Sequence, residues 1–305
     1  MRPKVRVAAM GGAAVLVAAG TAGCGSGGGS HSGGSRPAAG GPASAVRVVQ
    51  AAYTASTSQK TATFRLEETI SATSSAGSAE NVTITGSGQA DFAARAFRVS
   101  MNSPSGGAVT VLQAGGTEYV QVPAAQRNQV PGRKPWVSVN LNKVSQARLG
   151  ASFSQLSSVS SDNPARALSE LAAVSGNVTR TGTATIGGVT TTAYRARENL
   201  RKVAARVQAK AGAKAAEAIR QEARALGTAA LPVQVWVDAQ HLVRQIRYQV
   251  PLPATGSGSS TGKGTASVTI TLSGYGATVR LSPPPASQTA DITSQLLQQA
   301  RASTG

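Results

Sequence analysis

One cysteine in 305 residues can close no internal disulfide and supply no thiolate cluster for a metal. The two histidines, His31 and His241, are an equally thin basis for a metal centre or a histidine relay. Aromatic residues make up only 4% of the chain, so any core must be assembled from Val, Ala, Leu and Ile. Acids are scarce as well: 12 Asp and Glu stand against 30 Lys and Arg, a formal charge of +18. Those carboxylates are scattered, and the adjacent pair Glu67 and Glu68 falls on opposite faces of an extended segment. No H-E-x-x-H pattern and no phosphate-cradling G-x-x-x-x-G-K-[ST] loop occurs, and no Ser-Lys or Ser-His set stands out. The reading is therefore a protein that is not an enzyme, with no catalytic residues, no metal site and no cofactor.

What is present begins with a leader. Met1 to Gly23 opens on Arg2, Lys4 and Arg6 and continues in an apolar run, Val7 to Gly20. That run has signal-peptide proportions and is short for a membrane-spanning helix. It ends in Thr21-Ala22-Gly23-Cys24, which resembles the lipobox of bacterial lipoproteins. The resemblance implies a diacylglyceryl thioether on Cys24, which becomes the new N-terminus. Two acyl chains suffice for stable residence in a membrane. The next stretch, Gly25 to Pro42, is a Gly/Ser-rich tether that includes His31. As a flexible coil it spans about 20–25 Å. An exported, anchored chain argues against nucleic acid as the partner of the basic charge, and basic residues are not interleaved with stacking aromatics.

The rest reads as one domain, residues 43–282, followed by a Pro-rich segment and short helix, 283–305. Ala43 to Lys60 has helical spacing, with Val46, Val49 and Tyr53 on a weak stripe. Strands follow by period-two alternation: Thr61 to Thr73, Asn81 to Phe92, Ala96 to Asn102, Ala108 to Ala114, Thr117 to Pro123 and Pro135 to Leu141. Gly86 and Gly88 leave space beside the backbone or mark a bend. The connections are short, which favours antiparallel neighbours. Ser152 to Val174 is expected to be helical, and Gly176 to Ile186 and Val189 to Arg197 form a hairpin about Gly187-Gly188.

Asn199 to Leu226 is alanine-rich and helical, with Gly212 placed to break it in two. Lys210, Lys214, Arg220 and Arg224 on it are candidates for contact with an anionic surface; the other reading is a solvated basic face. Leu231 to Val250, LPVQVWVDAQHLVRQIRYQV, is the plainest segment. It predicts two strands about a turn at Asp238 to His241, at the centre of a large sheet. In the second strand Leu242, Arg244, Ile246, Tyr248 and Val250 share one face. A last strand runs from Lys263 to Gly274, and a terminal helix from Asp291 to Arg301.

This order of elements, with the lipobox, TEYVQVP…KPWVSVNL and LPVQVWVDAQHLVRQIRY, resembles the LppX/LprG-type lipoproteins of actinobacteria, in the LolA/LolB-like superfamily. The resemblance spans about residues 45–280. It implies an α+β fold: a curved antiparallel sheet, an open half-barrel, with helices packed on the concave side. It also implies a protein on the extracytoplasmic face of the membrane that holds acyl chains of a lipid or lipoglycan in an apolar cavity between sheet and helices and carries them across the envelope; the chain is expected to be a monomer. The candidate lining residues are Phe64, Leu66, Val82, Ile84, Val99, Met101, Val111, Val235, Val237, Ile246, Tyr248 and Ile270. Two other readings stand beside it: a sensory lipoprotein on the same fold that binds a partner protein, and a structural module of the wall.

Overall fold

The computed structural model describes residues 42–73, 79–103, 107–146, 164, 178–211, 213–225, 228, 230–252 and 264–302. The leader, the tether with Cys24 and, apart from Pro164, the helix expected over 152–174 lie outside the described residues. Twelve strands are described: β1 (Thr61–Thr73), β2 (Ala79–Asp91), β3 (Ala96–Ser103), β4 (Gly107–Ala114), β5 (Thr117–Gln121), β6 (Trp136–Asn140), β7 (Thr179–Ile186), β8 (Val189–Asn199), β9 (Ala230–Asp238), β10 (Val243–Leu252), β11 (Gly264–Ser273) and β12 (Thr289–Asp291). They join one open sheet in the order β12-β6-β5-β4-β3-β2-β1-β11-β10-β9-β8-β7. Every described pairing is antiparallel except β12 with β6, which is parallel. Five α-helices are described with them: α1 (Pro42–Ser58), α2 (Leu141–Gln146), α3 (Leu200–Ala211), α4 (Ala213–Ala225) and α5 (Thr293–Ala302).

The α+β class and the open sheet agree with the sequence, but the position of the β9–β10 hairpin does not. The two strands lie ninth and tenth in the order, and the middle is held by β1 and β2, at 13 residues each. The displacement comes from β11. It pairs with β1 on one side and β10 on the other, so the last long strand welds a first half of meandering hairpins to a second half. Strand β12, three residues long, carries too little pattern to be read in advance.

Why α1 packs as it does follows from small residues at helical spacing. Ala45, Val49, Ala52 and Ser56 are buried at i, i+4, i+7 and i+11. The three apolar ones join the main core with Phe64, Phe97, Val99, Val235 and Ile246. Ser56 closes the stripe by accepting the Val243 amide through Oγ at 2.9 Å. Helices α3 and α4 bury Leu200, Val203, Ala204, Ala216 and Ile219 in a second cluster, against Leu231 of β9 and Val250 of β10.

The β9–β10 turn is organised by Asp238, whose side chain is fully buried. Its Oδ1 accepts the amides of Gln240 (2.9 Å) and Leu242 (2.8 Å), and Oδ2 accepts Arg244 Nε at 2.6 Å. Such Asx geometry is what an aspartate supplies at a turn. It also breaks the expected alternation. A bulge between Val243 and Gln245 sends Val243 inward opposite Val237, so Val243, not Leu242 or Arg244, shares the face of Ile246 and Tyr248. Arg244 is re-aimed at Asp238 and lies 5.7 Å from the Tyr275 ring centroid. Tyr275 Oη in turn donates to the Val243 carbonyl at 2.6 Å, and burial holds the phenol protonated well above its usual range.

Candidate functional site

Residues directly opposite one another in a sheet project from the same face. Following the registers outward from Phe64 and Leu66 gives Gly88 and Gly86 on β2, Val99 and Met101 on β3, and Val111 and Val109 on β4. In the other direction they give Leu272 and Ile270 on β11, Ile246 on β10 and Val235 on β9. Ile84 pairs with Glu68, Val82 with Ile70, Tyr248 with Val268 and Val243 with Val237. All twelve sequence-predicted lining residues therefore stand on one face, here called inward. It is the face on which α1 and the α3–α4 pair pack.

The structure divides them into two groups. Phe64, Leu66, Val99, Val111, Val235, Val237, Ile246 and Ile270 are buried in the packed core. Val82, Ile84, Met101 and Tyr248 are only half-buried. With Val109, Val268 and Ile70, also half-buried, they form a contiguous apolar patch on β1, β2, β3, β4, β10 and β11.

The glycines on this face leave no open space. A Cβ on Gly88 would lie 2.2 Å from the Arg98 carbonyl oxygen and 2.5 Å from Phe64 Cζ, because the Phe64 ring lies across the bare backbone. At Gly86 the nearest atoms, Met101 Cγ and the Ser100 carbonyl oxygen, are at 3.0 Å.

Two inward-facing carboxylates have described side chains. Glu68 lies within the open patch, between Ile84 and Val268 across the strands, and burial raises its pKa. Glu118 on β5 is in phase with Val120 and is 4% exposed; its Oε2 has no hydrogen-bond partner among the described residues. Burial pushes its pKa up to about 7. The cause is desolvation of a charge with nothing to compensate it. Alternation in TEYVQVP places Glu118 beside the valine face, so the signal was there, masked by the surrounding polar residues.

The basic helix pair is partly self-neutralised. Glu217 accepts from both Arg224 and Arg220, the latter at 3.3 Å, and Arg220 also donates to Gln208 Oε1 at 2.7 Å. The hydrogen bonds from Arg224 and then Arg220 hold the Glu217 carboxyl below the usual range. Lys210 and Lys214 lie in α3 and α4, with side chains outside the described residues.

On the opposite face Arg195, Arg197 and Arg247 rim a cleft of about 570 Å³ with Thr179, Pro232, Gln234 and Gln249. Reading the chain as a sequence does not bring these arginines together, since 49 or more residues separate the first two from the third on paper and only the strand order unites them.

No three of His, Cys, Asp and Glu are grouped to hold a metal ion among the described residues, and no described helix is long and apolar enough to cross a membrane. The string Gly258-Ser-Ser-Thr-Gly262 matches G-x-S-x-G but lies outside the described residues. It links antiparallel β10 to β11, whereas the nucleophile elbow of that motif needs a strand-to-helix turn.

No protein-family profile matches the chain, and no curated protein matches it by sequence. Solved structures do. The Mycobacterium tuberculosis lipoprotein LppX is 15% identical, with a TM-score of 0.46, over 79% of this chain and 99% of its own. LprF from Mycobacterium bovis is 14% identical, with a TM-score of 0.38, over 80% and 99%. A LolA superfamily protein from Nitrosomonas europaea is 10% identical, with a TM-score of 0.25, over 81% and 96%.

Proposed function

We propose that this chain is a membrane-anchored lipoprotein of the extracytoplasmic face that binds acyl chains on the open part of its inward face and carries or presents the lipid within the envelope. The observation that carries this reading is the patch of Val82, Ile84, Met101, Val109, Tyr248 and Val268, apolar and incompletely covered. Contiguous apolar surface left partly open to solvent supports a binding site. The leader and Cys24 supply the second half of the reading, since an acylated cysteine on a flexible tether keeps the domain close to a bilayer. A lipidated monomer needs no further subunit for this task. The basic α3–α4 pair, through Lys210, Lys214, Arg220 and Arg224, adds attraction to anionic head groups.

Mass spectrometry of natively purified protein tests the proposal. Co-purified diacyl lipid or lipoglycan is the expected result. A preparation free of lipid that brings down a stoichiometric partner protein would favour the sensory reading.

A further inference from the structure

The outer cleft has a chemistry of its own. Thr179 of β7 pairs with Arg195 of β8, Arg195 with Gln234 of β9, and Gln234 with Arg247 of β10. In the next outward row Arg197 lies opposite Pro232, with Gln249 two residues beyond Arg247. Strand spacing puts Arg195 and Arg247 about 10 Å apart at Cα, and Arg195 and Arg197 about 7 Å apart. Long guanidinium stems from these positions can converge on one small ligand. Pro232, with a short ring between longer side chains, leaves the depression.

Every polar side chain of the lining donates hydrogen bonds, and none is a carboxylate. All three arginines are exposed, and none forms a salt bridge with a described carboxylate. Arg247 is held in place from two sides: its guanidinium lies 5.8 Å from the Trp236 ring centroid, and its Nε donates to Thr269 Oγ1 at 3.3 Å. Three uncompensated positive charges beside amide and hydroxyl donors complement a tetrahedral anion with several acceptor oxygens.

We propose that this cleft binds a phosphate-bearing anion of head-group size, on the face opposite the acyl-chain patch. The site stands whether or not the inward face takes lipid. The test uses the full chain carrying Cys24→Ser, so that acylation does not itself deliver it to a bilayer. Glycerol 3-phosphate is titrated by isothermal calorimetry, and vesicles with and without phosphatidylglycerol are co-sedimented. Arg195→Gln and Arg197→Gln, singly, are expected to weaken glycerol 3-phosphate about tenfold each, as for a lost charge-assisted hydrogen bond. Arg65→Gln, on the same outer face but outside the cleft, should leave it unchanged.

Thermal melting of each variant checks that the sheet is intact. If the same substitutions also release the protein from phosphatidylglycerol vesicles, the bound phosphate is lipid-borne; if they do not, it belongs to a free compound. Both results support the site. Absence of glycerol 3-phosphate binding, or binding indifferent to Arg195 and Arg197, overturns it.

Discussion

The inward face of the sheet is two surfaces in one. Phe64, Val99, Val111, Val235 and Ile246 are fully buried in one core cluster that also takes in Val49 and Ala52 of α1. On the same face, Val82, Ile84, Met101 and Tyr248 are apolar side chains that are only partly covered. Apolar side chains thus serve cohesion in one place and availability in the other, and depth of burial distinguishes them. The inward face also carries two acids with described side chains. Glu118 is shut away with an unmatched oxygen, whereas Glu68 keeps some contact with solvent.

The contrast can be broken most forcefully at Phe64. Phe64→Ala empties the packed region and also strips the cover from Gly88, and a loss of about 3–5 kcal/mol is expected in urea unfolding. Next comes Glu118. Its pKa is about 7 folded, against an ordinary 4.5, so the folded state binds the proton more tightly. Stability is therefore greatest below pH 4.5, falls as pH rises towards 7, and is level above that. The fall is about 3 kcal/mol. Glu118→Gln should flatten that slope and raise the urea midpoint at pH 8. A midpoint independent of pH in the wild-type chain would contradict the burial argument.

Smallest in stability, but sharpest for the comparison, are Ile84→Ala and Met101→Ala. Each is expected to cost less than about 1 kcal/mol, because these side chains are half-solvated already. Each should nevertheless lower the lipid recovered by mass spectrometry. Equal stability losses in both regions, with no change in lipid, would erase the distinction.

Much of this was legible in the chain. Alternation located β1 to β6 within a few residues, because each strand has one wet and one dry side. Gly212 divides the alanine-rich segment into α3 and α4 as its low helix propensity suggests. What failed to show depends on pairing rather than pattern. The bulge at Arg244 was hidden because one inserted residue shifts the phase of a strand without altering its composition. The placement of β11 between β1 and β10 was hidden because no local signal encodes a partner 200 residues away. The arginine cleft depends on that same order, since β8 reaches β9 only after the α3–α4 excursion. The candidate lining residues were found together because each was in phase with its own strand. Their division into packed and open groups was not, because it depends on tertiary packing rather than on the phase of a strand.

The seam made by β11 has a kinetic meaning. Thr63 and Ser273, joined across it by their hydroxyls, are 210 positions apart in the chain. The two halves of the sheet cannot merge until residues 264–273 have emerged, so assembly waits for nearly the whole polypeptide. Late, long-range closure of this type is slow. Until that strand arrives, each half is left with an unpaired edge, β1 in the first and β10 in the second.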